Sequence, residues 1–279
     1  MVRSRPHVVR VTKWRSALGP GLCPYENKLS LARWYFYHRF ALALEAAGQH
    51  FRGRVLDLGC WEGHFLPSLL DNYDDVWAIE NDCGSGVSDL PERWTILENA
   101  GELARAEGMQ VERLHLVKAD GASLPFQSEV FDVVFCLDSL PFTPAARRPA
   151  VIAEVGRVLR KTGRAVFTLP VEIGVSVLVR EVLRWASGHW RDCYSWSRLV
   201  RAVRRKPDPQ PESGIRNLIG YDYRPDVSLI ETVFAIGAVR FLPWNWMAGF
   251  SPTILLSGRI SSPRHDPITA GATMASKRR

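Results

Sequence analysis

The sequence contains no long apolar run and no cysteine pattern typical of a metal or disulfide site. Its best apolar segment, 171–179, is interrupted by Glu172 and followed by Arg180, whereas a membrane-spanning helix needs about 20 apolar residues. The five cysteines include no C-x-x-C pair and no Cys/His cluster at zinc spacing. The first residues lack the continuous apolar stretch of a secretory signal. We therefore expect no membrane-spanning helix, no bound metal and a reducing, cytoplasmic compartment.

Positive charge is concentrated at the two ends of the chain. The net charge is +7 over 279 residues. Residues 1–25 contain five basic side chains and no acid, and 259–279 carry a net charge of +4. The body, 26–258, is therefore close to neutral at −2. We expect a basic N-terminal tail at 1–25, one domain at 26–258 and a disordered basic tail at 259–279.

Short apolar runs alternate with helical stretches up to residue 170. Strands are predicted at 55–58, 76–80, 114–117, 131–137 and 164–169, the last after a Lys-Thr-Gly turn at 161–163. Helices are predicted at 28–48, 63–70, 95–107 and 145–160. This alternation is typical of a parallel sheet that is covered by helices on both faces. The predicted fold class is a doubly wound α/β sheet.

The pattern changes after residue 170. An insertion over about 171–226 begins helical and ends in an irregular stretch rich in proline and glycine. A helix at 227–236 then precedes strand-like runs at 238–242 and 253–256, with no helix between them. These two runs predict an antiparallel C-terminal hairpin, which completes a mostly parallel sheet of seven strands.

The sharpest motif is the run VLDLGCWEGHF at 55–65, where the first predicted strand passes directly into a helix. Gly59 and Gly63 permit backbone conformations closed to most residues and let a ligand approach closely. Glu80 ends the next strand, and a carboxylate at this spacing can accept hydrogen bonds from both hydroxyls of a ribose. The run does not match G-x-G-x-x-G, the fingerprint that binds a pyrophosphate. It therefore favours a nucleoside ligand without phosphates. Alternatively, the glycines only form a tight strand-to-helix turn.

Two further segments complete a series of motifs. ADGASLPFQSEVFDVVFCLDSL at 119–140 places Asp120 at a strand end, where its carboxylate could accept a hydrogen bond from an adenine amine. AEVGRVLRKTGRAVFTLP follows at 153–170. In this order, the motifs resemble those of class I S-adenosylmethionine-dependent methyltransferases. The closest likeness, over about 50–170, is to the type-11 branch, which includes the quinone-biosynthesis methyltransferases.

The resemblance implies a Rossmann-like methyltransferase fold and S-adenosyl-L-methionine as the cofactor. It implies a set of eight cofactor-binding residues: Asp57, Gly59, Gly63, Glu80, Asp120, Gly121, Cys136 and Leu137.

Each part of this set has an implied role. The loop after the first strand would cradle the cofactor, Glu80 would hold the ribose hydroxyls, and Asp120 with the backbone of Gly121 would hold the adenine. The two residues that end the fourth strand would lie beside the methionine part. Asp138 is the implied catalytic residue, with a cap of the following turn as the equal alternative. Trp61 departs from the family, which usually has a glycine there.

The general base, if the acceptor requires one, is not determined by the sequence. The candidates are Asp138, His38, Tyr25 and Tyr221. His64 fits a structural role better, and Cys60 is predicted to be a packing residue because no second residue nearby would activate its thiol.

The insertion is strongly basic and rich in tryptophan. Over 180–206, eight basic side chains accompany two acids, and Trp185, Trp190 and Trp196 lie in the same stretch. This composition is suited to binding an anionic substrate, to contact with an anionic membrane or to stacking on nucleobases. Alternatively, the stretch has no binding function: its charges form a solvated helix face and its tryptophans pack on the domain.

Together these features predict an S-adenosylmethionine-dependent methyltransferase that acts on a small-molecule or lipid-like acceptor. Peripheral membrane contact through 180–206 would accompany a cytoplasmic location. The alternatives are an RNA methyltransferase, a non-catalytic S-adenosylmethionine-binding protein and a nicotinamide oxidoreductase. The near-neutral body argues against nucleic acid as a partner, and the missing phosphate fingerprint argues against the oxidoreductase.

Overall fold

A computed structural model describes residues 9–11, 30–48, 52–81, 96–186, 195–206, 218, 220–245 and 251–261. The helices in these ranges are α1 (Ser30–Ala47), α2 (Leu66–Asn72), α3 (Ile96–Ala106), α4 (Arg148–Val158), α5 (Ser176–Ala186), α6 (Trp196–Val203) and α7 (Arg224–Val233). The strands are β1 (Arg54–Leu58), β2 (Asp75–Glu80), β3 (Leu114–Lys118), β4 (Phe131–Leu137), β5 (Leu159–Pro170), β6 (Phe234–Leu242) and β7 (Thr253–Ile260).

The strands form one sheet in the order β3-β2-β1-β4-β5-β7-β6. The pairs from β3 to β5 are parallel, whereas β7 runs antiparallel to both β5 and β6. The predicted doubly wound sheet with a C-terminal antiparallel hairpin is therefore confirmed. The strand order reverses between β1 and β4, and open α/β sheets bind ligands outside the carboxyl ends of their strands at such a switch point.

Helices cover both faces of the sheet. On one face, α1 and α2 pack on β4 through Phe40, Leu69 and Phe135. On the other face, α4 and α7 pack through Val155 and Ile230. Because the central strands are buried on both faces, their sequences are nearly continuous apolar runs, as in β4.

Three helices have a proline in their first turn, and this proline explains boundaries that differ from the predicted ones. α2, α4 and α7 each place their proline second, at Pro67, Pro149 and Pro225. A proline there costs no helical hydrogen bond, since the first amides of a helix have no partner inside it. α7 accordingly begins three residues before the predicted 227, inside the stretch predicted to be irregular.

The last three strands are each at least four residues longer than predicted, and β7 continues to Ile260 instead of ending at 256. β6 begins at Phe234 rather than 238, because the buried Phe234 ring packs against Phe167 with 5.5 Å between centroids. β5 begins at Leu159, so the predicted turn at 161–163 lies within it. The pairing with β4 shifts at this point, where the strand absorbs the extra residues as a bulge.

The described part of the predicted N-terminal tail contacts the domain. The amide of Arg10 donates to Oγ of Ser68 over 3.0 Å, and its guanidinium pairs with Asp71. The predicted C-terminal tail beyond residue 261, and 187–194 and 207–217 of the insertion, lie outside the described residues. None of the described helices combines the length and the hydropathy needed to cross a bilayer.

Candidate active site

The loop between β1 and α2, residues 59–65, is held against the end of β2, and we call it the glycine loop. The amides of Gly59 and Cys60 both donate to the carbonyl oxygen of Ile79, over 2.8 and 3.1 Å. Gly59 has a φ of +81°, which is a left-handed conformation that favours glycine. The loop therefore turns away from the sheet at its carboxyl edge, beside the switch point.

Ser139 explains why position 59 must be glycine. A Cβ at position 59 would lie 2.3 Å from Oγ of Ser139 and 2.5 Å from its Cβ. The Ser139 hydroxyl donates to the carbonyl oxygen of Leu58 over 2.8 Å, and this bond joins the loop after β4 to the loop after β1. Sequence reasoning missed Ser139, because a lone serine signals nothing until β1 and β4 are known to be neighbours.

Gly63 is explained by helix packing. Its φ is +78°, and a Cβ there would lie 2.8 Å from Cβ of Ala100 in α3 and 2.8 Å from Cδ1 of Leu66. The close approach of these side chains requires glycine whether or not a ligand binds. For Gly63, the geometry thus supports the interpretation as a turn residue.

Trp61 keeps the backbone conformation of the glycine that the family has at this position. Its φ is +50°, which is uncommon and strained for a bulky side chain. Its amide donates to Oε2 of Glu80 over 2.8 Å, and the amide of Asn81 donates to Oε1 of Glu80 over 3.1 Å. Glu80 therefore stabilises the strained loop, and its contact with a ribose stays a prediction.

Asp57 is buried beneath this loop, with 3% of the residue exposed. Burial is the main reason that its pKa is raised to about 7, and the negative charge of Glu80 adds to the effect, whereas Arg39 opposes it. The carboxyl group of Asp57 thus titrates near neutral pH.

The raised pKa of Asp57 predicts a specific pH dependence of stability. The unfolded side chain has a pKa of about 3.9, so between that value and the folded value of about 7 the folded state binds more protons. The contribution of Asp57 to the free energy of unfolding should therefore fall as the pH rises through this window. Urea unfolding from about pH 4 to about pH 8 should show Asp57→Asn gaining stability relative to the wild type. A difference that stays constant with pH would contradict the raised pKa.

The loop after β3 also reaches the end of β1. Asp120 accepts a hydrogen bond from the amide of Ala122 over 3.0 Å and pairs with Arg147. The Ala122 bond is the main reason that the pKa of Asp120 is lowered, and Arg147 adds to it. A Cβ on Gly121 would lie 3.3 Å from Cδ1 of Leu58. Asp120 and Gly121 are thus next to the glycine loop, and Arg147 shares the carboxylate that is predicted to hold the adenine amine.

The end of β4 contributes mostly to the core. Cys136 is 1% exposed, and burial raises its pKa to about 12. Burial also raises the pKa of Cys60 well above its usual value. Both thiols are therefore protonated near neutral pH and unsuited to be nucleophiles, as predicted for Cys60. Leu137 is half-buried, so of the two predicted cofactor residues on β4 it is the one with side-chain surface for a ligand.

Asp138 is bound from two sides. Arg39 of α1, 5% exposed, forms an ion pair with Oδ2, and the hydroxyl of Thr168 donates to Oδ1 over 2.8 Å. Both carboxylate oxygens of Asp138 are thus bound by neighbouring side chains. This geometry favours a positioning role, in which Asp138 fixes α1 over the carboxyl edge of the sheet. Arg39 lies far from every motif in the sequence, and sequence reasoning missed it.

A second contact holds α1 at the same edge. The hydroxyl of Tyr35 donates to Oγ1 of Thr253 over 2.5 Å, and Thr253 begins β7 opposite Pro170 at the end of β5. Burial raises the pKa of Tyr35 to about 12. Tyr35 and Arg39 therefore cover the carboxyl ends of β4 and β5 from one helix.

Tyr221 belongs to a buried network. Its hydroxyl donates to Oδ2 of Asp226 over 2.6 Å, and Nη1 of Arg148 donates to both oxygens of Asp226 over 2.9 and 3.2 Å. Arg148 also donates to the carbonyl oxygens of Pro141 and Thr143. Burial, followed by the charge of Asp226, raises the pKa of Tyr221 far above its usual range. The network joins the start of α7 to the loop after β4, and this geometry favours a structural role for Tyr221.

The remaining candidate residues are placed as follows. His38 stacks on Trp34, with 4.8 Å between ring centroids. His64 is 3% exposed, and its Nε2 lies 3.6 Å from Oε2 of Glu62, which fits the predicted structural role. Tyr25 lies outside the described residues. Over the part of the chain with described side chains, no three His, Cys, Asp or Glu residues are grouped so that they could hold a metal ion.

Residues 56–167 match the type-11 family model described as a methyltransferase domain. The matched segment runs from β1 to β5 and contains the glycine loop, Glu80, Asp120 and the end of β4. No curated protein sequence matches the chain.

Solved structures share the fold at low sequence identity. The PH0226 protein of Pyrococcus horikoshii OT3 is 16% identical with a TM-score of 0.56, and the match covers 86% of this chain and 97% of that one. An S-adenosylmethionine-dependent methyltransferase from Clostridium acetobutylicum ATCC 824 is 13% identical with a TM-score of 0.54, covering 84% and 94%. The N-methyltransferase NodS of Bradyrhizobium japonicum WM9, in complex with S-adenosyl-L-homocysteine, is 12% identical with a TM-score of 0.51, covering 84% and 90%.

The sheet order and the motifs at its carboxyl edge define a class I methyltransferase fold. With the family match from β1 to β5, they identify residues 56–167 as a methyltransferase domain of the type-11 branch and support an S-adenosylmethionine-dependent methyltransferase. The solved structures contribute the fold alone, because their identities are so low. The predicted family and enzyme class are confirmed.

Proposed function

We propose that the protein binds S-adenosylmethionine across the ends of β1, β2 and β3 and transfers its methyl group to a small-molecule or lipid-like acceptor. One observation carries the proposal: the segments at the carboxyl ends of these strands contact one another. Glu80 accepts the amide of Trp61 over 2.8 Å, and Gly121 lies next to Leu58. Three separate segments thereby form one rim at the switch point, where this fold class binds its ligands.

The side chains along this rim fit the chemistry of the proposed cofactor. Each oxygen of the Glu80 carboxylate can accept more than one hydrogen bond, and a carboxylate at the end of this strand is suited to the two hydroxyls of a ribose. Asp120 is a charged acceptor for an adenine amine, and Leu137 offers an apolar surface. Asp57 would support the loop from below. The absence of a side chain at Gly59 lets Ser139 approach and hydrogen-bond to Leu58. The absence of a side chain at Gly63 lets α3 pack against the loop.

The protein's part in methyl transfer is mainly alignment. When bound, the sulfonium cofactor supplies an electrophilic methyl group. Positioning an acceptor in line with it can lower the barrier by up to about 7–11 kcal/mol. Arg39 and Asp138 would position α1 so that it excludes water from the carboxyl ends of β4 and β5. A general base is required only if the acceptor must lose a proton.

Replacing Glu80 by alanine should weaken S-adenosylhomocysteine binding by about 10- to 150-fold. The variant loses a charged acceptor for the ribose hydroxyls, and such hydrogen bonds contribute about 1.5–3 kcal/mol. Calorimetric titration measures the effect. Glu112→Ala is the matched control and should bind like the wild type. Glu112 is an exposed acid just before β3 begins, whereas the candidate site lies where β3 ends. Unchanged affinity in a folded Glu80→Ala variant would refute the role of Glu80.

The acceptor class is tested by following a labelled methyl group. The purified protein is incubated with S-adenosylmethionine carrying a tritiated methyl group and with a cell extract, which is then separated into lipid, small-molecule and RNA fractions. We expect label in the lipid or small-molecule fraction, and much less with Glu80→Ala. Label confined to RNA would contradict the proposed acceptor while leaving the cofactor assignment in place.

A further inference from the structure

Helix α5 exposes an apolar stripe to solvent. The stripe consists of Val175, directly before the helix, and three residues of α5 that continue its helical spacing, each of the four at least 40% exposed: Leu178, Val179 and Val182. On another side of the helix, Val177 is fully buried and packs with Leu199 and Ala202 of α6. A helix on the surface of a globular protein normally turns its apolar stripe toward the core. Here the stripe faces away from the core, and exposed apolar patches mark interaction sites.

Helix α6 places positive charge next to the start of the stripe. The amide of Gly174 donates to the carbonyl oxygen of Ala202 over 2.7 Å, and Nε of Arg205 would lie 3.3 Å from a Cβ on Gly174. The end of α6 therefore lies beside the start of the stripe. Trp196, at the start of α6, is 79% exposed. The basic residues at the end of α6 are exposed as well: Arg201, Arg204, Arg205 and Lys206.

The stripe lies close to the candidate site. α5 follows β5 after a short connection, and Arg180 of α5 forms an ion pair with the fully buried Glu172 in that connection. Tyr35, which covers the ends of the strands, is close enough to Arg180 for that charge to influence its pKa. A surface bound by the stripe would therefore lie near the carboxyl edge of the sheet.

We propose that the α5 stripe and the basic end of α6 form a docking surface for an anionic lipid bilayer. Apolar side chains beside basic residues are the features of helices that lie in a membrane interface. The exposed charges at the end of α6 are of one sign and complement anionic headgroups. The inference extends the proposed function, since docking would bring the site close to a lipid-like acceptor.

Vesicle sedimentation with the full chain tests the docking surface. The probes are vesicles of pure phosphatidylcholine and vesicles that also contain phosphatidylserine. We expect the wild type to sediment with the anionic vesicles only. The double variant Val179→Glu, Val182→Glu should reduce the bound fraction by about tenfold or more, because two charges enter the apolar face. Val239→Glu changes a valine on β6 that is 47% exposed and should bind like the wild type.

Two further measurements separate the possible results. The wild type and both variants should bind S-adenosylhomocysteine with equal affinity. If none of the three proteins binds it, the proposed cofactor site is wrong, whereas the sedimentation results still test the docking surface. Light scattering gives the mass in solution. If the wild type is a dimer and the double variant is a monomer, the stripe binds a second copy of the chain, and the membrane proposal is overturned. No sedimentation of the wild type, or equal sedimentation of the double variant, would overturn it too.

Discussion

Gly59→Val is expected to abolish S-adenosylhomocysteine binding and to destabilise the fold by about 2–5 kcal/mol. The new side chain would have to adopt a φ of +81°, and its Cβ would lie 2.3 Å from Oγ of Ser139. Either the glycine loop or the loop after β4 must move, and both border the proposed cofactor site. Calorimetry and urea unfolding measure the two effects, and we expect affinity to fall by at least about 100-fold, which is about 2.8 kcal/mol.

Gly108→Val is the control for backbone strain. Gly108 has a φ of +67°, and a Cβ there would meet no atom within 4 Å. This variant should lose about 1–3 kcal/mol of stability through strain alone and keep its affinity for S-adenosylhomocysteine. Gly59→Ala introduces the smaller clash and should bind with intermediate affinity. Native affinity in both position-59 variants would show that the loop is not part of the cofactor site.

Asp226→Ala is expected to reduce the free energy of unfolding by about 3–5 kcal/mol. Asp226 is 3% exposed and accepts hydrogen bonds from Arg148 and from the Tyr221 hydroxyl. Its removal leaves a largely buried guanidinium and a buried phenol without this acceptor. The cost of an uncompensated buried charge far exceeds the value of a surface ion pair.

Glu45→Ala is the matched comparison for Asp226→Ala. Glu45 pairs with Arg240 over 2.9 Å, and both side chains are more than one third exposed. Its removal should cost at most about 1 kcal/mol. Urea unfolding of the two variants under the same conditions measures the contrast. Similar small losses in both would mean that the Arg148–Asp226–Tyr221 network does not stabilise the start of α7.

The fold was predictable because its signals are local. The buried parallel strands read as short apolar runs, and the absence of a helix between β6 and β7 indicated the hairpin. The misplaced boundaries depend on less obvious features. The start of α7 follows from Pro225, a signal that was present in the sequence and overlooked. The early start of β6 depends on the packing of Phe234 against Phe167, a tertiary contact that no local pattern reveals.

The sequence singled out site candidates only where residues belong to a motif. Glu80 ends one strand and Asp120 follows another, and the structure brings Glu80 into contact with the glycine loop and Gly121 next to Leu58, while their roles in cofactor binding stay predictions. Ser139 and Arg39 have no such signal, since their importance arises from contacts between segments that are distant in the sequence. Asp138 was singled out by position alone, and its binding to Arg39 became visible only when α1 was placed over the sheet.

Calorimetric titration of the wild-type protein with S-adenosylhomocysteine, and separately with NAD, tests the central claim most directly. We expect saturable binding of S-adenosylhomocysteine at one site per chain and no heat from NAD. In the proposed function, the rim around Glu80 would hold a ribose and an adenine, and the glycine loop lacks the fingerprint that binds a pyrophosphate. Saturable binding of NAD, or no binding of S-adenosylhomocysteine by the folded protein, would refute the proposed cofactor.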